Sequence, residues 1–292
     1  MKLFRFGSSK SEKPGVILAG GERIDVSAFG EDFDEDFFST GGVDRLASWI
    51  EANTDKCPPT GSSLRFGPCV ARPSKIICIG LNYARHAAEA GAEIPKEPIV
   101  FLKAPSALSG PNDDVIIPKD SQKTDWEVEL AVVIRKQTSY VQPEEAMKCV
   151  AGYCLHNDYS ERQFQLERGG QWTKGKSCDS FAPLGPFLAT ADEINDPHNL
   201  RLWLKVNGIT RQDSNTSDLI FRIPFIISYV SRFMSLEPGD VVSTGTPQGV
   251  GAGLKPPQYL RHGDVVEFGI DGLGECRQRV VAYETRVVAG NR

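Results

Sequence analysis

A mixed α/β fold, rich in strands, is what this sequence predicts, and three observations carry the prediction. Short apolar runs of strand length outnumber amphipathic helical patterns. The two kinds do not alternate regularly, which disfavours a doubly wound parallel sheet. A chain of 292 residues with 40% hydrophobic and 24% charged residues has a globular composition and can bury a core without staples.

The elements follow in order. Residues 1–71 read as a small leading α+β module. Val16-Ile-Leu is a short strand, Gly20-Gly21 a turn and Arg23-Ile-Asp-Val a second strand, and Leu46-Ala-Ser-Trp-Ile-Glu-Ala has helical spacing. The loop Cys57-Pro-Pro-Thr-Gly-Ser-Ser leads to Ala71-Arg-Pro-Ser, where the texture changes. Residues 72–292 read as one larger domain. Its strands are expected at 76–80, 99–103, 115–118, 130–134, 201–208, 241–245 and 265–270, and its helices at 83–90, 143–149 and 223–234.

Thirty-three Lys and Arg against 38 Asp and Glu leave a net charge of −5. That argues against a nucleic-acid footprint, which needs a basic face, and no polybasic patch points to a membrane surface. No apolar stretch approaches the roughly 20 residues of a membrane span. The run Met1-Lys-Leu-Phe-Arg-Phe-Gly lacks the apolar core of a signal peptide. Seven cysteines without a C-x-x-C pair read as free thiols in a reducing cytoplasm, with no structural zinc.

Three motifs mislead. Gly170-Gln-Trp-Thr-Lys-Gly-Lys-Ser177 matches the phosphate-loop pattern letter for letter. That loop needs a strand before it and a helix after it. Here the preceding segment is polar and helical in pattern, and the following one carries prolines that cannot open a helix. Asp32, Asp34 and Asp36 imitate the start of a calcium loop, but Phe37 stands where the sharp turn needs glycine. Gly249-Val-Gly-Ala-Gly is followed by Lys255-Pro-Pro, so no dinucleotide-binding helix starts there.

Asp125-Trp-Glu-Val-Glu-Leu-Ala-Val-Val-Ile is the most informative stretch. On a strand Glu127 and Glu129 share a face. Two carboxylates beside an apolar run repel each other unless a cation sits between them. An exposed edge strand with an acidic face accounts for the pair equally well on the motif alone. Asp158, after an apolar Val150-Ala-Gly-Tyr-Cys run, supplies a third oxygen ligand or an ordinary helix N-cap. A Glu/Glu/Asp set suits magnesium first, with manganese or calcium as the other candidates.

Seven ordered blocks then share one resemblance: Gly80-Leu-Asn-Tyr-Ala-Arg-His86-Ala-Ala-Glu89, Pro98-Ile-Val-Phe-Leu-Lys103, Glu127-Val-Glu129, Asn157-Asp158, Trp172-Thr-Lys-Gly-Lys176-Ser, Val206-Asn-Gly and Thr244-Gly-Thr246-Pro-Gln-Gly-Val250. They resemble the fumarylacetoacetate hydrolase family over residues 72 to 290. The resemblance implies a β-sandwich roll, a homodimer and a divalent metal in a mouth lined by loops. It also implies activity on small 2-oxo acids: hydrolysis of diketo acids and acylpyruvates, decarboxylation, hydration or isomerisation.

Carried over residue by residue, the resemblance puts the metal on Glu127, Glu129 and Asp158. Lys176 becomes the lysine facing the substrate, which makes the phosphate-loop match a coincidence. His86 and Glu89 become an acid–base dyad on a mobile lid, one helical face apart by three residues, with Gly80 and Gly91 as hinges. Thr246 is the hydroxyl that meets the substrate carboxylate, and Arg162, a helical turn beyond Asp158, a cation for a substrate oxygen or a plain surface arginine. His156, Cys178 and Asp179 receive no role.

The implied reaction is hydrolysis. The metal takes the carboxylate and 2-oxo group of a 2,4-dioxo acid, the dyad activates water toward the 4-oxo carbon, and carbon–carbon cleavage gives a carboxylic acid and pyruvate enolate. The sequence from Gly249 to Arg279 resembles a bacterial subgroup acting on 2,4-dioxo-3-deoxy sugar acids or named ureidoglycolate lyase, with Gln248 and Lys255 suited to a hydroxylated tail. A lyase, such as an oxaloacetate decarboxylase, is the alternative; it needs the metal and Lys176 but no water-activating dyad.

Overall fold

The computed structural model describes residues 1–61 and 63–283. Its centre is a long mixed sheet. The strands Arg23–Asp25, Lys13–Ile17, Lys2–Phe6, Ala182–Thr190, Val150–Asn157, Val128–Ile134, Val241–Ser243, Ile76–Gly80 and Ile99–Lys103 lie side by side in that order. A second sheet runs Ile209–Asn215, Arg201–Val206, Val265–Ile270, Gly274–Ala282 and Val115–Ile117. Leu130 and Val132 of the first sheet share one apolar cluster with Leu202, Leu204 and Phe268 of the second. The protein is thus mixed α/β, strand-rich and short of helices.

Val128–Ile134 and Val150–Asn157 are buried along their whole length and run antiparallel, with Glu129 opposite His156. A strand covered on both faces reads as a continuous apolar run, and Val-Glu-Leu-Ala-Val-Val-Ile has one charge among seven residues. That charge, Glu129, is 2% exposed. Such burial is costly for a charged group that no opposite charge offsets.

The first 71 residues join the main sheet. Lys2 pairs with Ala189 and Leu3 with Leu188, so the leading strands extend it edge to edge. Asp34 caps the helix Glu35–Ser39 by accepting from Phe37 N at 3.1 Å, and Asp32 takes Arg5 at 2.8 and 2.7 Å. The calcium-loop imitation is a helix cap and an ion pair.

All seven expected strands of the larger domain form near their predicted positions. The helix at 223 stops at Val230, short of Met234, and the one at 143 breaks into a helical turn and a 3-10 turn. Lys2–Phe6, Ala182–Thr190 and Gly274–Ala282 were not expected. The second carries two prolines and a glycine, a composition that reads as loop. Among the described residues no helix is long and apolar enough to cross a membrane.

Candidate active site

A cavity of about 520 Å³ opens beside the start of the strand Val128–Ile134. His86 and Glu89 line one side; Glu127, Glu129, Arg162 and Lys176 line another, with Thr246 between. Asp158 lies fully buried against this group. The sequence-predicted site residues are therefore brought together from segments more than 150 positions apart.

Carboxylate oxygens of Glu127, Glu129 and Asp158 come within 4.8 Å of one another, all three residues buried. The backbone fixes two of them: Asp158 N donates to Glu127 O at 2.8 Å, and Glu127 N donates to Asn157 Oδ1 at 2.9 Å. Lys176 Nζ reaches Glu127 Oε2 and Asp158 Oδ2, each at 2.7 Å. Lys103 Nζ bonds Asp158 Oδ1 and, at 3.1 Å, Tyr159 O. Burial raises the Asp158 carboxyl, but Lys103 and Lys176 outweigh it and hold the group well below the usual carboxylate range. Burial likewise opposes the Lys176 charge, and Asp158 and Glu127 overcome it, so its pKa is raised.

Lys176 sits on a four-residue helix, Thr173–Lys176. A Cβ on Gly175 would come 2.5 Å from Glu161 O, so only glycine lets this turn approach closely enough. The helix Arg162–Leu166 precedes the segment and the strand Ala182–Thr190 follows it. Strand, loop and helix do not occur in phosphate-loop order, and the lysine is committed to carboxylates.

Glu129 is the carboxylate without an ammonium on it. Its Oε2 accepts from Ser243 Oγ at 2.5 Å and from Gly245 N at 2.9 Å. Burial, then Asp158 and Glu127, push its carboxyl well above the ordinary value. His156 Nδ1 lies 2.7 Å from Ser243 Oγ. Ser243 has one hydrogen and gives it to Glu129, so His156 Nδ1 donates to Ser243 and its Nε2 is the bare nitrogen. That fits a buried Nε2 without a partner and an imidazole pushed down to about 3 by burial. His156 stands outside the carboxylate cluster, directly behind Glu129 through Ser243.

The donor set decides what the cluster can hold. Three buried carboxylates, with Glu129 left uncompensated, fit a hard divalent cation with oxygen ligands. No cysteine or histidine joins them within that distance among the described residues, which disfavours zinc.

His86 and Glu89 share a face of the helix Ala84–Glu89, with Nδ1 and Oε2 3.2 Å apart. Gly249 N donates to both oxygens of Glu89, at 2.9 and 3.1 Å. A Cβ on Gly253 would meet Glu89 at 2.5 Å, so the glycine-rich run 249–253 is shaped to seat this carboxylate. Asp125 Oδ1 holds the same loop through Gly251 N at 2.6 Å, and its Oδ2 takes Ala252 N at 2.9 Å and Arg162 Nε at 2.8 Å. Gly91 has φ +64°, as a glycine after a helix does. At Gly80 the need is room: a Cβ there would lie 2.5 Å from Trp172.

Arg162 begins a helix of its own after the short strand Ser160–Glu161, so no continuous helical turn links it to Asp158. Besides Asp125 it pairs through Nη2 with Glu127 Oε1 at 2.7 Å, an ion pair rather than an aligned hydrogen bond. Both carboxylates offset its burial and hold it charged. Thr246 Oγ1 donates to Val128 O at 2.9 Å and accepts from Gln212 Nε2 at 2.8 Å. In this arrangement its hydroxyl offers the cavity an acceptor. Lys255 lines the cavity; Gln248 does not. Asp179 lines a different cleft, and the Cys178 thiol is pushed up to about 11 by burial.

Sequence reasoning missed Lys103, Ser243 and the anchoring role of Asp125. A lysine closing the apolar run Ile99–Lys103 was the one available signal, since a charge that is buried needs a partner.

The model of the fumarylacetoacetate (FAA) hydrolase C-terminal family matches residues 75–281. The chain belongs to this family. A relative from Burkholderia ambifaria, named "Putative hydrolase", is 51% identical over 279 residues, covering 95% of this chain and 98% of its own. Among solved structures, fumarylacetoacetate hydrolase from Exiguobacterium antarcticum is 35% identical with a TM-score of 0.82, covering 97% of this chain and 99% of its own. Maleylpyruvate hydrolase from Sphingobium sp. SYK-6, in complex with manganese(II) ion and pyruvate, is 32% identical with a TM-score of 0.80 and the same coverage. The likeness to all three extends through the first 71 residues.

Proposed function

We propose that this family member is a metal-dependent hydrolase that cleaves the carbon–carbon bond of a 2,4-dioxo acid, releasing pyruvate and a carboxylic acid. The observation that carries the reading is that the buried carboxylate cluster and the His86–Glu89 pair border one cavity. A decarboxylase needs the first and not the second.

Glu127, Glu129 and Asp158 would hold magnesium or manganese, which would supply Lewis acidity to the 2-oxo acid end of the substrate. The Sphingobium relative, crystallised with manganese(II) and pyruvate, supports that pairing of cation and product. Glu89 is already an acceptor for Gly249 N, so it takes the Nδ1 hydrogen of His86. His86 Nε2 is then the free base. It removes a proton from water as the water oxygen bonds C4. The C3–C4 bond breaks, its electron pair passes to C3 as pyruvate enolate, and His86 returns the proton there. The ammonium of Lys176 and the guanidinium of Arg162 place fixed positive charge where enolate charge develops. The same reading includes a cytoplasmic homodimer, each protomer with a small module of residues 1–71 ahead of a catalytic domain of residues 72–292.

Hydrolysis in water enriched in ¹⁸O tests the reaction class. One ¹⁸O atom in the released carboxylic acid and none gained in that step by pyruvate is expected. Carbon dioxide release without label in an acid product would make the protein a decarboxylase.

A further inference from the structure

Gly249 is gripped from two sides. Its N–H meets the two oxygens of Glu89, and its carbonyl accepts from Trp126 Nε1 at 3.0 Å. Its φ is +99°, and a Cβ there would lie 1.9 Å from Arg211 O, so only glycine fits the grip. Farther along the same loop, the two oxygens of Asp125 take Gly251 N and Ala252 N. Trp126 N donates to Asp125 Oδ1 at 2.8 Å, and both side chains are buried.

Asp125 and Trp126 stand immediately before Glu127 in the chain. Arg162 repeats that connection through side chains, with Nε on Asp125 and Nη2 on Glu127. The loop that seats Glu89 is therefore fastened to the entry of the strand that bears two of the three clustered carboxylates. The helix that carries His86 and Glu89 has only six residues and no side-chain bond at its N-cap. A helix that short does not hold itself in place. A general base must stand within hydrogen-bond reach of the proton it takes, and a misplacement of about 1 Å can cost roughly 10²-fold in rate. Fastening the seat to the carboxylate strand fixes that reach.

We infer that Asp125 and Trp126 are positioning residues for the reaction: they register the glycine-rich loop, and through Gly249 the Glu89–His86 pair, to the strand of the carboxylate cluster. The inference rests on the reading of His86 and Glu89 as the acid–base pair and adds the residues that place it.

Trp126→Phe keeps the bulk of the ring and removes one N–H; Asp125→Asn keeps the shape and one acceptor. In the manganese-loaded protein each is expected to lower kcat for acetylpyruvate by roughly 10- to 100-fold, with KM little changed. A cycle with His86→Ala separates positioning from general damage. With the base gone, Trp126→Phe should cost almost nothing further, because residues that act through one another are not additive. Losses that multiply, or a loss in Trp126→Phe carried by KM or by Mn²⁺ affinity, overturn the inference and leave the hydrolase reading intact. A second readout needs no turnover. Hydrogen exchange read by mass spectrometry should be roughly 2- to 10-fold faster over residues 84–92 in both variants, the worth of one net hydrogen bond, and unchanged over residues 128–134. If no dioxo acid is cleaved, the hydrolase reading fails and the exchange decides the placement alone. Faster exchange over residues 84–92 with residues 128–134 unchanged upholds it; exchange that is equal to the parent, or faster throughout, overturns it.

Discussion

Ser243 donates its hydroxyl hydrogen to Glu129 Oε2 at 2.5 Å, and this bond leaves Glu129 as the one carboxylate of the cluster oriented by neutral donors rather than by lysine. With His156 behind it, the serine forms a buried line of donors that aims the acceptor. Groups behind a metal ligand fix its orientation and commonly change affinity by 10–100-fold. Ser243→Ala is therefore expected to weaken Mn²⁺ binding by about that factor, measured by electron paramagnetic resonance titration. Affinity within threefold of the parent would show that Gly245 N alone orients Glu129.

Lys176 neutralises Glu127 and Asp158 in the absence of metal. Lys176→Met leaves two buried carboxylates short of one cation, a loss of the kind that costs about 3–5 kcal/mol. In chelator the variant should unfold at markedly lower denaturant than the parent. Saturating Mn²⁺ should restore much of that difference, because a cation that binds only the folded state stabilises it. Equal midpoints in chelator would mean that Lys176 is not compensating charge.

His86 and Glu89 act as a unit, since Glu89 fixes the hydrogen on Nδ1. His86→Ala and Glu89→Gln should each lower kcat by about 10²–10⁴. The double variant should be little worse than either, as residues that act together are not additive. Losses under tenfold in both single variants remove the dyad from the chemistry.

His156 gives a pH dependence with a definite sign. Burial pushes it down to about 3, against an ordinary 6.5, so the unfolded chain takes up the proton first as the solution is acidified. The stability this contributes is complete above pH 6.5 and is lost as pH falls from 6.5 toward 3. Between pH 7 and 4 the loss is on the order of 3 kcal/mol at about 1.36 kcal/mol per unit. In chelator, His156→Asn should lose less stability than the parent over that interval by denaturant unfolding. Parallel curves would place the proton elsewhere.

The central strand and its acidic pair were legible because Glu127 and Glu129 break an apolar run, and a break of that kind is local. Asp158 was legible as a carboxylate following an apolar run, Lys176 entered through the family resemblance, and the structure brings both to the pair. What stayed illegible was partnership across distance. Lys103 lies 55 positions from Asp158 and Ser243 lies 114 from Glu129, and no local period records such contacts. Gly80 reads as a hinge in sequence and is a seat for Trp172 in space. Ala182–Thr190 forms a central strand despite its prolines, because neighbours on both sides hold it in the sheet.

The most direct test of the account is pyruvate release from acetylpyruvate by one preparation measured three ways: as purified, stripped with EDTA, and stripped then reloaded with Mn²⁺ or Mg²⁺, with metal content determined in each. Activity that disappears with the metal, returns on reloading and is not restored in Glu129→Ala is the predicted result. Full pyruvate release from protein containing no metal would contradict it.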